Sequence, residues 1–241
     1  ENKLVEETNY VLEVEQSQAI VEACSHIPNL NFPNYYPELS SDRIITMDWM
    51  NGVHLSEFKF KNQEVANKLG QALWDFYMFQ IHNLKKVHAD PHPGNFLVSE
   101  KSELIALDFG CMKTIPLDFY NPYFVLAQKE TLENEALFVE KMYDLDILRK
   151  EDPKEEFDFF KDMFHEMLSI FTQPFHKEEF DFSDAEFFGK ISEFGERYSK
   201  NTEIRSYNAS RGSKQTDKVK RGDEPNFVGQ REAMLRGVAL I

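Results

Sequence analysis

Asp90, Asn95 and Asp108 are the residues of this chain whose types and spacing could do chemistry together. Asp90 sits within Val87-His88-Ala89-Asp90-Pro91-His92-Pro93-Gly94-Asn95, and Asp108 opens Asp108-Phe109-Gly110. Phosphoryl transfer asks a protein mainly for positioning and charge neutralisation. A carboxylate must orient the attacking hydroxyl or water and take its proton, and Asp90 suits that role. Magnesium accepts a few hard oxygen ligands and completes its shell with water and phosphate; Asn95 and Asp108 offer such oxygens. Gly110 permits a tight turn directly after Asp108. Pro91, Pro93 and Gly94 stiffen and bend the loop between base and ligand.

The two histidines of the loop have other uses. His88-x-Asp90-x-His92 has a spacing seen in zinc sites, but zinc there leaves Asn95 and Asp108 without a role. The plainer expectation is that His88 is a buried member of the catalytic loop and braces it by hydrogen bonds. Asp-Phe-Gly alone is a weak signal. His-x-Asp, then Asn, then Asp-Phe-Gly around an apolar segment is a much stronger one.

The elements that must position these residues are legible from periodicity. Residues 62–86 have the clearest helical spacing, with Leu69, Leu73, Phe76, Tyr77, Gln80, Ile81 and Leu84 on one face, and deliver the chain to His88. Phe96-Leu97-Val98 and Leu104-Ile105-Ala106-Leu107 read as two strands of a hairpin turning through residues 99–103. That hairpin would bring Asn95 and Asp108 together. Upstream, residues 3–25 have helical spacing closed by Pro28. The stretches Asn31 to Leu39 and Arg43 to Trp49 look extended, and Asn51-Gly52 is a turn. Downstream, helices are expected at 118–130, 131–150, 154–173 and 183–198. Residues 199–224 read as a mobile polar loop and 227–241 as the start of a last helix. The expected fold class is therefore α+β, mainly α.

Composition narrows the partners. The 241 residues carry a net charge of −15 and are 41% apolar. A chain this acidic is a poor partner for nucleic acid or for an anionic membrane presented to its whole surface. One local exception is the stretch 200–221, where Lys200, Arg205, Arg211, Lys214, Lys218, Lys220 and Arg221 face only Glu203 and Asp217. It reads as a solvated loop or as a contact for an anionic membrane. The only cysteines are Cys24 and Cys111, too few for a disulfide scaffold, so a reducing, cytoplasmic setting is expected. No apolar run approaches a membrane span. Half of the 22 phenylalanines fall between 157 and 194, with Phe157, Phe160, Phe164, Leu168 and Phe171 on one stripe. Such a stripe is expected to pack helices, with a lipid or quinone groove as the alternative. Trp49 and Trp74 are expected in the core.

The motif His88-Ala-Asp-Pro-His-Pro-Gly-Asn95 with Asp108-Phe-Gly110 resembles the UbiB/AarF atypical kinase family, whose eukaryotic members support coenzyme Q biosynthesis. Glu7-Thr8-Asn9-Tyr10-Val11-Leu12-Glu13 is similar to that family's Glu-x-Asp-Tyr-x-x-Glu helix, with Asn9 in place of Asp. Met47-Asp48-Trp49-Met50-Asn51-Gly52 resembles its hinge, and 225–240 resembles its final helix loosely. The resemblance implies a protein-kinase-like fold, with residues 1–50 as the remnant of the nucleotide lobe and 51–241 as the helical catalytic lobe. It implies ATP and magnesium as cofactors, with Asp90 catalytic and Asn95 and Asp108 as metal ligands. Glu13 would partner the ATP-binding lysine, although a solvated helix charge is its plain alternative. Met47 would be the gatekeeper, and the Asp48 carbonyl and Met50 amide would meet the adenine. A lipid or quinone-pathway small molecule and a peripheral membrane contact are the further partners implied. The family's Lys-x-Gly-Gln segment, Ala-rich loop and lysine would precede Glu1, so the chain is expected to be a fragment. A small-molecule phosphotransferase of the aminoglycoside- or choline-kinase kind and a non-catalytic pseudokinase scaffold are the competing expectations.

Overall fold

Tyr10–Cys24 forms the first helix (α1), with Val14, Ser17, Ile20 and Cys24 buried on one face. The computed structural model describes residues 10–88, 92–110 and 112–199. Within them the chain divides into two units, residues up to Ile115 and residues from Pro116. The fold is mainly helical α+β with small sheets.

In the first unit, α1 is followed by β1 (Leu30–Asn31). The extended run expected to Leu39 ends instead in a 3-10 turn, Pro37–Leu39. Pro37 sits at the first position of that turn, where its fixed φ favours helix and its missing N–H costs nothing. The strand expected over Arg43 to Trp49 is also absent. Only isolated bridges form there, Ser41 with Ile44 and Tyr35 with Met47, and Ile44 is exposed despite its β-branched side chain. After β2 (Val53–His54) comes α2 (Gln63–Phe79), capped by Asn62, whose side chain accepts from the Val65 amide at 2.9 Å. The helix expected to reach residue 86 changes character earlier. Gln80–Leu84 is a π-helical turn, and Lys85 (φ 53°) leaves the helix in the left-handed region. Lys85 is not glycine, so this conformation costs about 1 kcal/mol. Hydrogen bonds from its backbone N–H to the Gln80 carbonyl and from its Nζ to the His82 carbonyl offset that cost.

The chain then enters β3 (Lys86–His88), the 3-10 turn Pro93–Asn95, β4 (Phe96–Val98), β5 (Leu104–Ala106) and β6 (Met112–Thr114). The expected hairpin is present, with Phe96 opposite Ala106, Leu97 opposite Ile105 and Val98 opposite Leu104. It lies inside a four-stranded sheet of order β1-β5-β4-β2. β1 joins it parallel to β5, Leu30 beside Leu104 and Asn31 beside Ile105. β3 and β6 pair antiparallel as a separate ribbon. Beneath the main sheet Phe32, Phe76, Tyr77, Phe96 and Phe109 pack ring against ring, with centroid separations from 5.7 to 6.5 Å.

The second unit is helical: α3 (Leu117–Leu126), α4 (Lys129–Leu132), α5 (Glu135–Asp144), α6 (Lys154–Phe171) and α7 (Ala185–Ser199). The single helix expected over 131–150 is broken by Asn134, which caps α5 by accepting from the Leu137 amide, and by Asp146 with φ 52°. The phenylalanine stripe of α6 does pack inward: Phe160 and Leu168 are buried, and Phe157, Phe164 and Phe171 are half-buried. Arg197 of α7 grips both oxygens of Glu166 in α6 at 2.8 Å. Residues 200–224, the helix expected at 227–241 and Cys111 lie outside the described residues.

Candidate active site

The two ends of the hairpin are joined through the backbone. The Leu107 amide, just past β5, donates to the Asn95 carbonyl at 3.0 Å, so the backbone joins the residue before Asp108 to Asn95. Phe109 turns inward and is only 1% exposed. Burying it orients its neighbours, and Asp108 is left exposed. The Gly110 amide donates to Asp108 Oδ1 at 2.8 Å and fixes that carboxylate's rotamer.

Glu13 reaches this point from α1. A Cβ placed on Gly110 would lie 3.3 Å from the Glu13 carboxyl carbon and 3.4 Å from both Asp108 Oδ1 and Glu13 Oε2. The two acids therefore flank the same glycine. Burial raises the Glu13 pKa, and the Asp108 charge raises it further. Two carboxylates held this close favour a cation between or beside them. Glu13 itself is half-buried.

His88 is buried at the end of β3. Its main-chain amide donates to Gln80 Oε1 at 2.9 Å, and its ring meets Phe109 at 6.2 Å, edge to face. Gln80 is the first residue of the π-helical turn and is fully buried. The π-helical turn thus places an amide side chain against the backbone of His88. His92 Nδ1 accepts from the Gly94 amide at 3.0 Å and caps the Pro93–Asn95 turn. The Asn95 amide donates to the His92 carbonyl at 2.9 Å. One ring nitrogen of His92 is thereby committed to loop geometry. Asp90 lies outside the described residues, between His88 and His92.

The residues expected to form the hinge make a second group. Asp48 Oδ1 accepts from the Tyr36 hydroxyl at 2.8 Å, and Oδ2 accepts from Asn34 Nδ2 at 2.6 Å and the Asn34 amide at 3.2 Å. These bonds hold the Asp48 carboxyl below its ordinary pKa, the Tyr36 bond contributing most, and they raise Tyr36. The Asp48 carbonyl and the Met50 amide have no hydrogen-bond partner among the described residues. Met47 is bridged to Tyr35. Gly52 ends the hinge against β4, where a Cβ would lie 2.8 Å from the Val98 carbonyl oxygen. Its role is close backbone approach rather than the turn chemistry expected of Asn51-Gly52. Trp49 is 88% exposed, not in the core, while Asp48 and Met50 on either side of it are half-buried. Trp74 is half-buried.

Tyr35, Tyr36, Asn34 and Gln80 are site-building residues that sequence reasoning did not single out. The Tyr35 hydroxyl donates to the Leu107 carbonyl at 2.6 Å. Burial pushes Tyr35 up to about 12, helped by the charges of Asp108 and Glu13. No local pattern predicts the bonds of Asn34, Tyr35 and Tyr36, whose partners lie 12 to 72 positions away.

Comparison with known proteins bears on what this arrangement is for. A sequence model described as the ABC1 atypical kinase-like domain matches residues 1–142. AarF domain-containing protein kinase 1 of Xenopus laevis is 37% identical over 106 residues, 41% of this chain and 20% of that protein. Atypical kinase COQ8, mitochondrial, of Saccharomyces cerevisiae is 30% identical over 108 residues, 44% of this chain and 22% of that protein. The chain thus covers about a fifth of the length of these curated relatives. Among solved structures, the complex of Rv3197 with erythromycin from Mycobacterium tuberculosis shares the fold, with a TM-score of 0.59 and 18% sequence identity. The match covers 98% of this chain and 56% of that one.

Proposed function

The chain belongs to the ABC1 atypical kinase-like domain family, and we propose that it forms the catalytic part of an ATP- and magnesium-dependent phosphotransferase or ATPase of the UbiB type. The observation that carries this is the convergence of Glu13 and Asp108 on Gly110, with Asn95 tied to the residue before Asp108. In this reading residues 1–50 belong to the nucleotide lobe and residues from 51 onward to a protein-kinase-like catalytic lobe.

The donor set fits magnesium. Asn95 and Asp108 supply hard oxygens from two ends of one hairpin, and Asp108 is exposed to a ligand. Bound there, magnesium would neutralise charge on the phosphate oxygens. Asp90 orients the attacking oxygen and takes its proton. His88 and Gln80 hold the start of the loop that carries Asp90. Glu13 stands ready to pair with a lysine ammonium, which would relieve the repulsion from Asp108. The Asp48 carbonyl and Met50 amide are available for an adenine edge, with Met47 behind it.

The name of the yeast relative places it in the mitochondrion, and that of Protein ACTIVITY OF BC1 COMPLEX KINASE 3 of Arabidopsis thaliana in the chloroplast. We extend to this chain the link to quinone metabolism that the family resemblance carries, with a lipid or quinone-pathway small molecule as partner and a peripheral membrane contact. No helix among the described residues is long and apolar enough to cross a membrane.

The test is magnesium-dependent ATP hydrolysis by the full-length protein and its Asp108→Asn variant. The variant keeps the side-chain shape but loses the charge that holds the metal, and its rate is expected to fall roughly 100-fold. Equal rates refute the assignment.

A further inference from the structure

We propose that Tyr35 and Tyr36 are positioning residues of the nucleotide site, Tyr35 holding its metal side through Leu107 and Tyr36 its nucleobase side through Asp48. The inference rests on the nucleotide reading above and assigns to two neighbouring hydroxyls the two halves of that site.

The local geometry explains how one dipeptide serves both. Residues 34–36 run extended, with the Tyr36 amide donating to the Thr46 carbonyl and the Asp48 amide to the Asn34 carbonyl, each at 2.9 Å. Successive side chains of an extended segment point to opposite sides. Tyr35 accordingly turns inward, where its ring is buried, and Tyr36 turns towards the hinge.

On the inner side, the Tyr35 hydroxyl donates to the Leu107 carbonyl at 2.6 Å. The amide of the same Leu107 donates to the Asn95 carbonyl. Leu107 is therefore held through its N–H by the carbonyl of one metal-ligand candidate, Asn95, and through its own carbonyl by Tyr35. The next residue is Asp108. Removing the Tyr35 hydroxyl leaves the Leu107 carbonyl without that donor and frees the peptide that aims the Asp108 carboxylate.

On the outer side, the Tyr36 hydroxyl is one of the donors that fix the Asp48 carboxylate. Asp48 is thereby held by side chain and backbone at once, and its carbonyl direction is set. Gly52 pressed against Val98 fixes the other end of the hinge. Tyr36 thus controls the orientation of the edge offered to the base without touching the base.

The experiment uses the full-length protein with Tyr35→Phe and Tyr36→Phe, each losing only a hydroxyl. Three quantities are measured: adenosine affinity without metal, the magnesium midpoint of ATP hydrolysis, and amide hydrogen exchange of the ligand-free protein over 46–51 and 105–110. Loss of one hydrogen bond corresponds to a change of about 3- to 10-fold. Tyr36→Phe is expected to weaken adenosine binding and speed exchange over 46–51 by that factor, with the magnesium midpoint unchanged. Tyr35→Phe is expected to raise the magnesium midpoint and speed exchange over 105–110, with adenosine affinity unchanged. Equal effects of the two variants on both ligands, or no change in either exchange segment, overturn the inference. If the wild type binds neither adenosine nor ATP, it is the nucleotide assignment that fails, and the exchange pattern still reports whether each hydroxyl holds its segment.

Discussion

Replacing Gly52 by alanine drives a methyl group into the backbone of β4. The added Cβ would sit 2.8 Å from the Val98 carbonyl oxygen and 2.9 Å from Leu97 Cβ. Neither atom can rotate away, because one is main chain and the other is fixed to it. Relief requires shifting the strand that follows, where Val53 pairs with Val98 and His54 with Leu97. Overpacking of this kind costs about 1–3 kcal/mol, and for a chain of this size 1 kcal/mol moves Tm by roughly 2–4 °C. Gly70 provides the matched control. It is an exposed residue inside α2, and nothing lies within 4 Å of its added Cβ. Gly70→Ala should therefore stabilise the protein, by up to about 1 kcal/mol, through helix propensity alone. The assay is thermal and urea denaturation followed by circular dichroism on wild type and both variants. The reasoning fails if Gly52→Ala lies within 0.5 kcal/mol of wild type, or if the two alanines shift stability in the same direction.

Two further outcomes follow from burial and charge. Glu13 has a raised pKa, from burial first and the Asp108 charge second. Its favourable contribution is therefore present below the ordinary glutamate value of 4.5 and is lost as pH rises through the raised value. Glu13→Gln should leave Tm unchanged near pH 4 and raise it at pH 7, while weakening nucleotide binding; a Tm difference independent of pH contradicts this. The Cys24 thiol is buried and pushed up to about 12, so little thiolate forms at pH 8. Alkylation mapped to Cys24 by mass spectrometry should be at least about tenfold slower in the native protein than after denaturation, and comparable rates count against its burial.

What the sequence revealed depended on how local the cause was. The hairpin from Phe96 to Ala106 was legible because two short apolar runs flank polar turn residues, and its consequence for Asn95 and Asp108 followed directly. The start of α2 was legible from its clean period. Its end was not, because a lysine in the left-handed region and an extra residue in the π-helical turn leave no compositional mark. Arg43 to Trp49 has strand-like residues, yet it finds only isolated bridging partners, so propensity went unrewarded. The pairing of β1 with β5 and the bond from Tyr35 to Leu107 join segments more than seventy positions apart. Such contacts are decided by packing of the whole unit and have no signature near either end.

The parallel pairing of β1 with β5 also sets how the site can be switched. β1 follows the Glu13 helix, and β5 leads into Asp108. The Leu104 amide reinforces the seam by donating to the Asn29 carbonyl at 2.9 Å. The two acids are thus carried on elements stitched into one sheet. A helix swing that parted Glu13 from Asp108 would have to tear that seam or bend residues 25–29, where the Ile27 amide is already tied to the Cys24 carbonyl. Activity control by displacing this helix is thereby disfavoured mechanically.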